Sequence, residues 1–325
     1  MGGHDLTVST AENYRAFARE ARGRSPGYER LATEAAADAS LLAFLDSLPR
    51  ARQQPNLLFA AACYLLGEPA DVAALRALVA DRDTELRAVM LARRTQTNEA
   101  ARCATLLPLL AMLPQPLALL EVGASAGLTL LPDRYSYDYA GYRVTGGDAG
   151  APVIACDPHG PVPLPRRVPE VAWRAGLDLN PLDVTSDDDM RWLECLVWPG
   201  EADRRERLRL AVETARRDPP PVYQGDLLTD VPALARQAPR GATLVIFHSA
   251  VLAYVARAGR EEFGRIVRSL DATWISNEAA GVVAGAPPAA AARQDGYFVL
   301  RRDGGAPVAL TDGHGTWLQW LSAEP

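Results

Sequence analysis

Through the first third of the chain, apolar residues recur at helical spacing. In AENYRAFAREARG the stripe is Tyr14, Phe17, Ala18 and Ala21, with Ser9 or Thr10 placed to cap it. YERLATEAAADASLLAFLDSL, NLLFAAACYLLG and DVAALRALVA continue in the same style, the last two parted by Gly67-Glu68-Pro69 and Asp71. TNEAARCATLLPLLAML is a further helix, capped by Thr97 or Asn98. Nothing here alternates with period two, so residues 1–115 are predicted to form an all-helical N-terminal region.

After Pro114 the period changes. Short apolar runs suited to strands fall at 117–123, 176–179, 222–227, 243–249, 272–278, 297–302 and 307–312. Helical stretches such as GEADRRERLRLAVETARR and REEFGRIVRSL lie between them. Strands alternating with helices predict a mostly parallel sheet built by right-handed crossovers. The last two runs are joined only by Asp303-Gly304-Gly305, a hairpin turn, so the sheet is predicted to end in an antiparallel pair. The fold class is therefore α/β, with a sheet of about seven strands over residues 116–325. Residues 132–172, rich in Pro, Gly and Tyr, read as an insertion holding a small hairpin between a first helix and the second strand. Residues 281–294 read as a loop near the strand ends.

Charge narrows the functional classes. The 34 basic and 40 acidic side chains leave a net charge of −6, which argues against nucleic acid as the main partner. Every basic residue is arginine, so Schiff-base lysine chemistry and the phosphate-binding lysines of P-loops and kinases are excluded. No apolar run is long enough to span a membrane, and the N-terminus lacks a signal-peptide pattern, so a cytoplasmic protein is expected. Cys63, Cys103, Cys156 and Cys195 are far apart in sequence and read as separate thiols. No metal site is expected: His4, His159, His248 and His314 have no ligand spacing, and Asp187, Asp188 and Asp189 read as a helix N-terminus.

The chemistry concentrates around LALLEVGASAGLTLL. Gly123-Ala124-Ser125-Ala126-Gly127 fits G-x-S-x-G, the nucleophile elbow of a serine hydrolase, with His314 as base and Asp226 or Asp271 as acid. Against that reading, only helices precede the first strand, and Glu121 has no task in an elbow. The second reading joins three acids. Glu121 lies in the first strand, Asp178 closes the second and Asp226 closes the third. In an open parallel sheet, ligands bind at the carboxyl ends of the strands. Carboxylates there suit a nucleoside, one facing the ribose hydroxyls and another the adenine amine.

On Glu121-x-Gly123-x-x-x-Gly127, Asp178 and Asp226, residues 116–325 resemble a class I S-adenosylmethionine-dependent methyltransferase. The resemblance implies a Rossmann-like fold and S-adenosylmethionine as cofactor. It places the cofactor against Glu121, Gly123, Ala124, Ser125, Gly127, Asp178, Leu179, Asp226, Leu227 and His248. Ser125 stands where that motif has its middle glycine, and fits if its φ is negative. The chain as a whole also resembles an uncharacterised bacterial family of unknown function, through RTQTNEAARC, EVGASAGL, DRYSY, WRAGLDLNPLDV, LVWP, FHSAVLAY and WISNE.

Methyl transfer needs alignment and sometimes a base. His248, Tyr254 and Asn277 are the catalytic candidates, with His248 as base. Asn98, Glu99, Ser249 and Glu278 are placed to hold a small-molecule acceptor, and the tyrosines of DRYSYDYAGY read equally as an aromatic lid or substrate wall and as a solvent-exposed hairpin. A nucleoside- or nucleotide-binding protein without turnover is the alternative, and the serine hydrolase the third.

Overall fold

The structure is a computed structural model that describes residues 8–69, 71–283 and 296–321. Most of the loop expected at 281–294 lies outside the described residues. The chain divides into two compact units. One takes the residues up to Thr97 together with Ser186–Glu206; the other takes Asn98–Thr185 and the residues from Arg207 onward. This differs from the boundary expected at 115/116. The helix after Asn98 packs under the sheet, and a later helix returns to the helical unit.

The helical unit contains α1 (Thr10–Ala21), α2 (Pro26–Ala35), α3 (Ala39–Asp46), α4 (Pro55–Leu66), α5 (Val72–Ala92) and α7 (Asp187–Cys195). The stripe expected in α1 is the buried one: Tyr14, Phe17, Ala18 and Ala21 face the core. Phe59 sits among Tyr14, Phe17 and Tyr28, and Trp198 closes the aromatic group 5.0 Å from Phe17. Asp188 and Asp189 at the start of α7 pair with Arg93. Cys63 and Cys195, distant in sequence, pack in the same core. Buried Ser25 caps α2 at Tyr28 N and donates to Pro199 O at 2.8 Å. Ser25→Ala is expected to cost about 1–2 kcal/mol in denaturant unfolding, because it strands the amide and the carbonyl together.

The sheet unit starts with α6 (Arg102–Ala111) and β1 (Leu117–Val122). β2 (Ser136–Tyr139), β3 (Tyr142–Val144) and β4 (Val153–Ala155) form a separate three-stranded sheet. Next come β5 (Asp157–His159), β6 (Val171–Asp178), β7 (Val222–Gln224), α9 (Val231–Ala235) and β8 (Thr243–Ser249). α10 (Arg257–Arg268), β9 (Thr273–Ala279), β10 (Phe298–Arg302), β11 (Pro307–Thr311) and β12 (Trp317–Trp320) follow. The helix α8 (Ala202–Arg217) carries the chain out of the helical unit.

The main sheet has nine strands, not about seven, in the order β5-β12-β11-β10-β9-β8-β1-β6-β7. β7, β6, β1, β8 and β9 are parallel, and β10, β11 and β12 continue antiparallel. The expected terminal hairpin is β10–β11, extended by β12 and then by β5, which pairs parallel to β12. β1 is buried at all six positions because both faces are covered. Leu117 and Leu119 meet Leu106, Leu109 and Leu110 of α6, whereas Leu120 and Val122 meet Val231 and Leu234 of α9 and Phe263 and Val267 of α10.

Two further expectations change. No α-helix follows β1; Leu128–Leu130 make one 3-10 turn, and the three-stranded sheet supplies the crossover to β6. Three of the four tyrosines of DRYSYDYAGY form neither a lid nor an exposed hairpin face, and Tyr142 alone of the four is exposed. Tyr135, Tyr137 and Tyr139 are buried, and their hydroxyls donate to Leu128 O, Pro132 O and Ala104 O, each at 2.7 Å. Among the described residues no helix is long and apolar enough to cross a membrane.

Candidate functional site

The order of the five parallel strands, in chain order 3-2-1-4-5, reverses direction between β1 and β8. In an open parallel sheet such a switch point, at the carboxyl ends of the two strands, is where a ligand crevice is expected. Among the described residues, four non-glycine residues have positive φ. Ala140 and Asp303 lie in hairpin turns. The other two, Ser125 (φ 53) and Ala250 (φ 61), follow β1 and β8, on both sides of the crevice. The negative φ that Ser125 needs to fit the methyltransferase motif is therefore not found. Non-glycine residues in the left-handed region persist only where surrounding structure holds them, and such strain gathers at functional sites.

What holds Ser125 is Asp178. Its Oδ2 accepts from Ser125 N at 2.8 Å and its Oδ1 from Asn180 N at 2.8 Å, so the acid at the end of β6 ties down the turn after β1. Four more amides of the turn are committed. Gly123 N and Ala124 N donate to Leu177 O, Gly127 N to Ala124 O, and Leu128 N to Asn98 Oδ1. Gly123 and Gly127 have φ of 73° and 74°, which favour glycine, but their bare faces meet the chain itself. A Cβ on Gly123 would lie 2.3 Å from Val251, and one on Gly127 2.8 Å from Pro220. The small size of both glycines thus serves internal packing.

Glu121 is buried in β1. Thr129 Oγ1 donates to its Oε1, and its Oε2 has no partner among the described residues. Burial pushes its carboxyl up to about 8; Thr129 and the nearby Arg102 charge pull the other way, and Asp178 adds to the rise. Asp226 is exposed beyond β7, where its Oδ1 accepts from Leu228 N at 2.7 Å and closes a turn. Leu179 and Tyr254 are exposed, at 69% and 82%, and Leu227 is half-buried.

His248 ends up sealed at the centre of the sheet. Trp274 Nε1–H donates to its Nε2 at 3.0 Å, which leaves the ring proton on Nδ1, facing Glu278 Oε1 at 2.6 Å. Glu278 Oε1 also accepts from Val251 N (2.9 Å) and Leu252 N (3.1 Å). Burial opposes the charge on Glu278, but His248 and the two amides outweigh it and hold the carboxyl below its ordinary range. With both nitrogens committed, His248 has none to offer a substrate proton. Its geometry suits positioning: it fixes Glu278, which fixes the Ala250–Leu252 turn against Gly123.

Asn277 is fully buried. It donates through Nδ2 to Ser249 Oγ at 3.2 Å and accepts at Oδ1 from Thr311 Oγ1 at 2.8 Å. Asn98 and Glu99 bind the crevice wall together: Asn98 holds Leu128 N, and Glu99 Oε1 accepts from Ala101 N and Arg207 Nε. The structure thus gathers Glu121, Ser125, Asp178, His248, Ser249, Asn277 and Glu278 around the ends of β1, β6, β8 and β9, and leaves Tyr254 on the surface. The sequence reading missed Arg102, buried, which donates to Ser249 O at 3.0 Å and Gly313 O at 2.9 Å. An arginine opening the otherwise apolar RCATLLPLLA was the available signal.

These features define a Rossmann-like α/β unit whose polar residues gather at the sheet's switch point, in a chain that also contains a helical unit. The chain belongs to the family of uncharacterized proteins conserved in bacteria designated DUF2332, whose profile matches residues 11–320. No curated protein and no solved structure matches it.

Proposed function

We propose that the crevice between β1 and β8 binds S-adenosylmethionine and that the protein is a methyltransferase for a small-molecule acceptor. The supporting observation is the charge of the crevice together with its satisfied backbone. Phosphate-binding turns offer free amides, often at a helix N-terminus. Here the amides of Gly123, Ala124, Ser125, Gly127 and Leu128 already donate within the chain, and the turn leads into no α-helix. The side chains at the strand ends are acids, Glu121, Asp178 and Asp226, and burial favours the neutral form of Glu121. That donor set suits a nucleoside bearing positive charge and no phosphate. A bound cation would favour the ionised form of Glu121, whose buried, unpartnered Oε2 then accepts from the ligand. When bound, the cofactor supplies an activated methyl group on a neutral leaving group. The chain supplies orientation, through Asp178 and the Glu278-held turn, and exclusion of water.

Calorimetry of the full chain with S-adenosylmethionine, S-adenosylhomocysteine and ATP tests this. The expected order puts both sulfur nucleosides well ahead of ATP; tighter ATP binding, or no nucleoside binding at millimolar ligand, refutes it. Asp178→Asn keeps an acceptor for only one of the amides of Ser125 and Asn180 and loses the charge, and is expected to weaken S-adenosylmethionine by about 1–3 kcal/mol.

A non-catalytic nucleoside binder is the second reading, favoured by the commitment of both His248 nitrogens. Binding without methyl transfer to any member of an amine, hydroxyl and carboxyl acceptor panel would select it. The hydrolase reading has less support, because Ser125 is buried and a 3-10 turn stands where an elbow needs its helix.

A further inference from the structure

In the helical unit, two thiols from distant parts of the chain come together. Cys63 lies in the last turn of α4, and Cys195 ends α7. Cys195 is buried in the unit's core, and partly exposed Cys63 packs against that core. The two sulfurs share a hydrogen bond. The helix ends around them are clamped. Arg191 Nη2 of α7 donates to Tyr64 O at 2.6 Å, Tyr64 Oη bonds Asp188, and the Tyr64 and Trp192 rings meet edge-on at 6.0 Å.

We propose that Cys63 and Cys195 form a two-thiol exchange site, at which Cys63 captures a low-molecular-weight disulfide and Cys195 resolves the adduct into an intramolecular disulfide. Cys63, as thiolate, attacks one sulfur of the incoming disulfide. That S–S bond breaks, and the departing thiolate takes up the proton Cys63 released. Cys195 then gives up its proton and attacks the Cys63 sulfur, and the second small thiol leaves with that proton. The protein pair loses two electrons, and the external disulfide is reduced to two thiols.

The division of labour follows from exposure: Cys63 is partly exposed and open to an incoming disulfide, whereas Cys195 is buried. The hydrogen bond from Cys195 stabilises a Cys63 thiolate; burial and Glu68 oppose it, and Arg205 and Arg191 support it, so the Cys63 thiol is lowered overall. Donating that bond and being buried push Cys195 up, so it reacts second. Cys103 and Cys156 are buried, their thiols are raised by burial, and they do not compete.

The test is incubation of the reduced full chain with glutathione disulfide, followed by thiol titration and peptide mass mapping. The free-thiol count is expected to fall from four to two, with a single Cys63–Cys195 link that dithiothreitol reverses. Cys195→Ser is expected to stop at a glutathione adduct on Cys63, and Cys63→Ser to stay unmodified. Both reduced variants should melt with the parent, which shows that they fold. The proposal is overturned if the parent keeps four thiols, stops at a stable mixed disulfide, or links through Cys103 or Cys156. Modification of Cys63→Ser at the parent's rate overturns it as well.

Discussion

Glu121→Gln is expected to make the protein more stable and a poorer binder. The sign follows from linkage. The folded-state carboxyl titrates at about 8, above its ordinary value of 4.5, so the folded chain holds this proton more tightly than the unfolded chain. Stability from the protonated acid is fully present below the unfolded value and is lost as pH rises through the folded one. The loss amounts to about 3 kcal/mol by pH 7 and about 4–5 kcal/mol above pH 8, as order-of-magnitude upper figures. Glutamine occupies the same space, accepts from Thr129 and carries no charge to bury. Urea unfolding of parent and variant between pH 4 and 9 should therefore give curves that nearly coincide at the acid end. They should separate as pH rises, with the variant the more stable. A constant difference across that range would show that burial of this carboxyl does not govern the pH dependence. S-adenosylmethionine affinity moves the other way in the variant if Glu121 provides an acceptor to the cofactor. A site that keeps an acid at a stability cost fits the general trade between stability and function.

Glu278→Ala is expected to be the most damaging single truncation in the sheet unit, at roughly 3–5 kcal/mol in denaturant unfolding near neutral pH. One carboxylate oxygen accepts from His248 Nδ1–H, Val251 N and Leu252 N. Alanine leaves those three donors inside the protein without an acceptor, and lets go of the turn that holds Ala250 at positive φ. Glu278→Gln retains an acceptor oxygen and is expected to recover more than half of the loss. If alanine costs under about 1 kcal/mol, the triple acceptor role is not what secures this turn. The pH sign is opposite to that of Glu121. The Glu278 carboxyl is held below its ordinary range, so its contribution is present above the unfolded value and fades as pH falls through the folded one.

Much of the sheet was legible because its central strands are apolar through and through. LALLEV and TLVIFHS appear at 117–122 and 243–249, within a residue of where hydrophobicity put them. β6 was read too short. VAWRAGLD mixes Trp173 and Arg174 with small residues, and its first half is only half-buried, so the run shows neither alternation nor a solid apolar block. β5 and β12 were missed for a related reason. DPH and WLQW become strands by pairing with each other and with β11, a long-range event that local pattern does not encode. The helix expected after Gly127 fails because LTLLPDRY reaches Pro132 within five residues, too short a run for a helix to propagate.

The polar residues divide in the same way. Sequence alone determined which acids stand at strand ends, since a carboxylate after an apolar run of known length falls at the end of that strand. It also determined the all-helical start, the hairpin at Asp303-Gly304 and the absence of lysine chemistry. Only the tertiary structure decided what those groups do. It tied Asp178 to the backbone of Ser125, closed Gly123 with Val251, enclosed His248 between Trp274 and Glu278, and joined Cys63 to Cys195. Each of these links residues at least thirty positions apart or on different elements. The reason is physical: a side chain's charge, proton and hydrogen bonds are set by the neighbours that burial forces on it, and those neighbours are chosen by the fold.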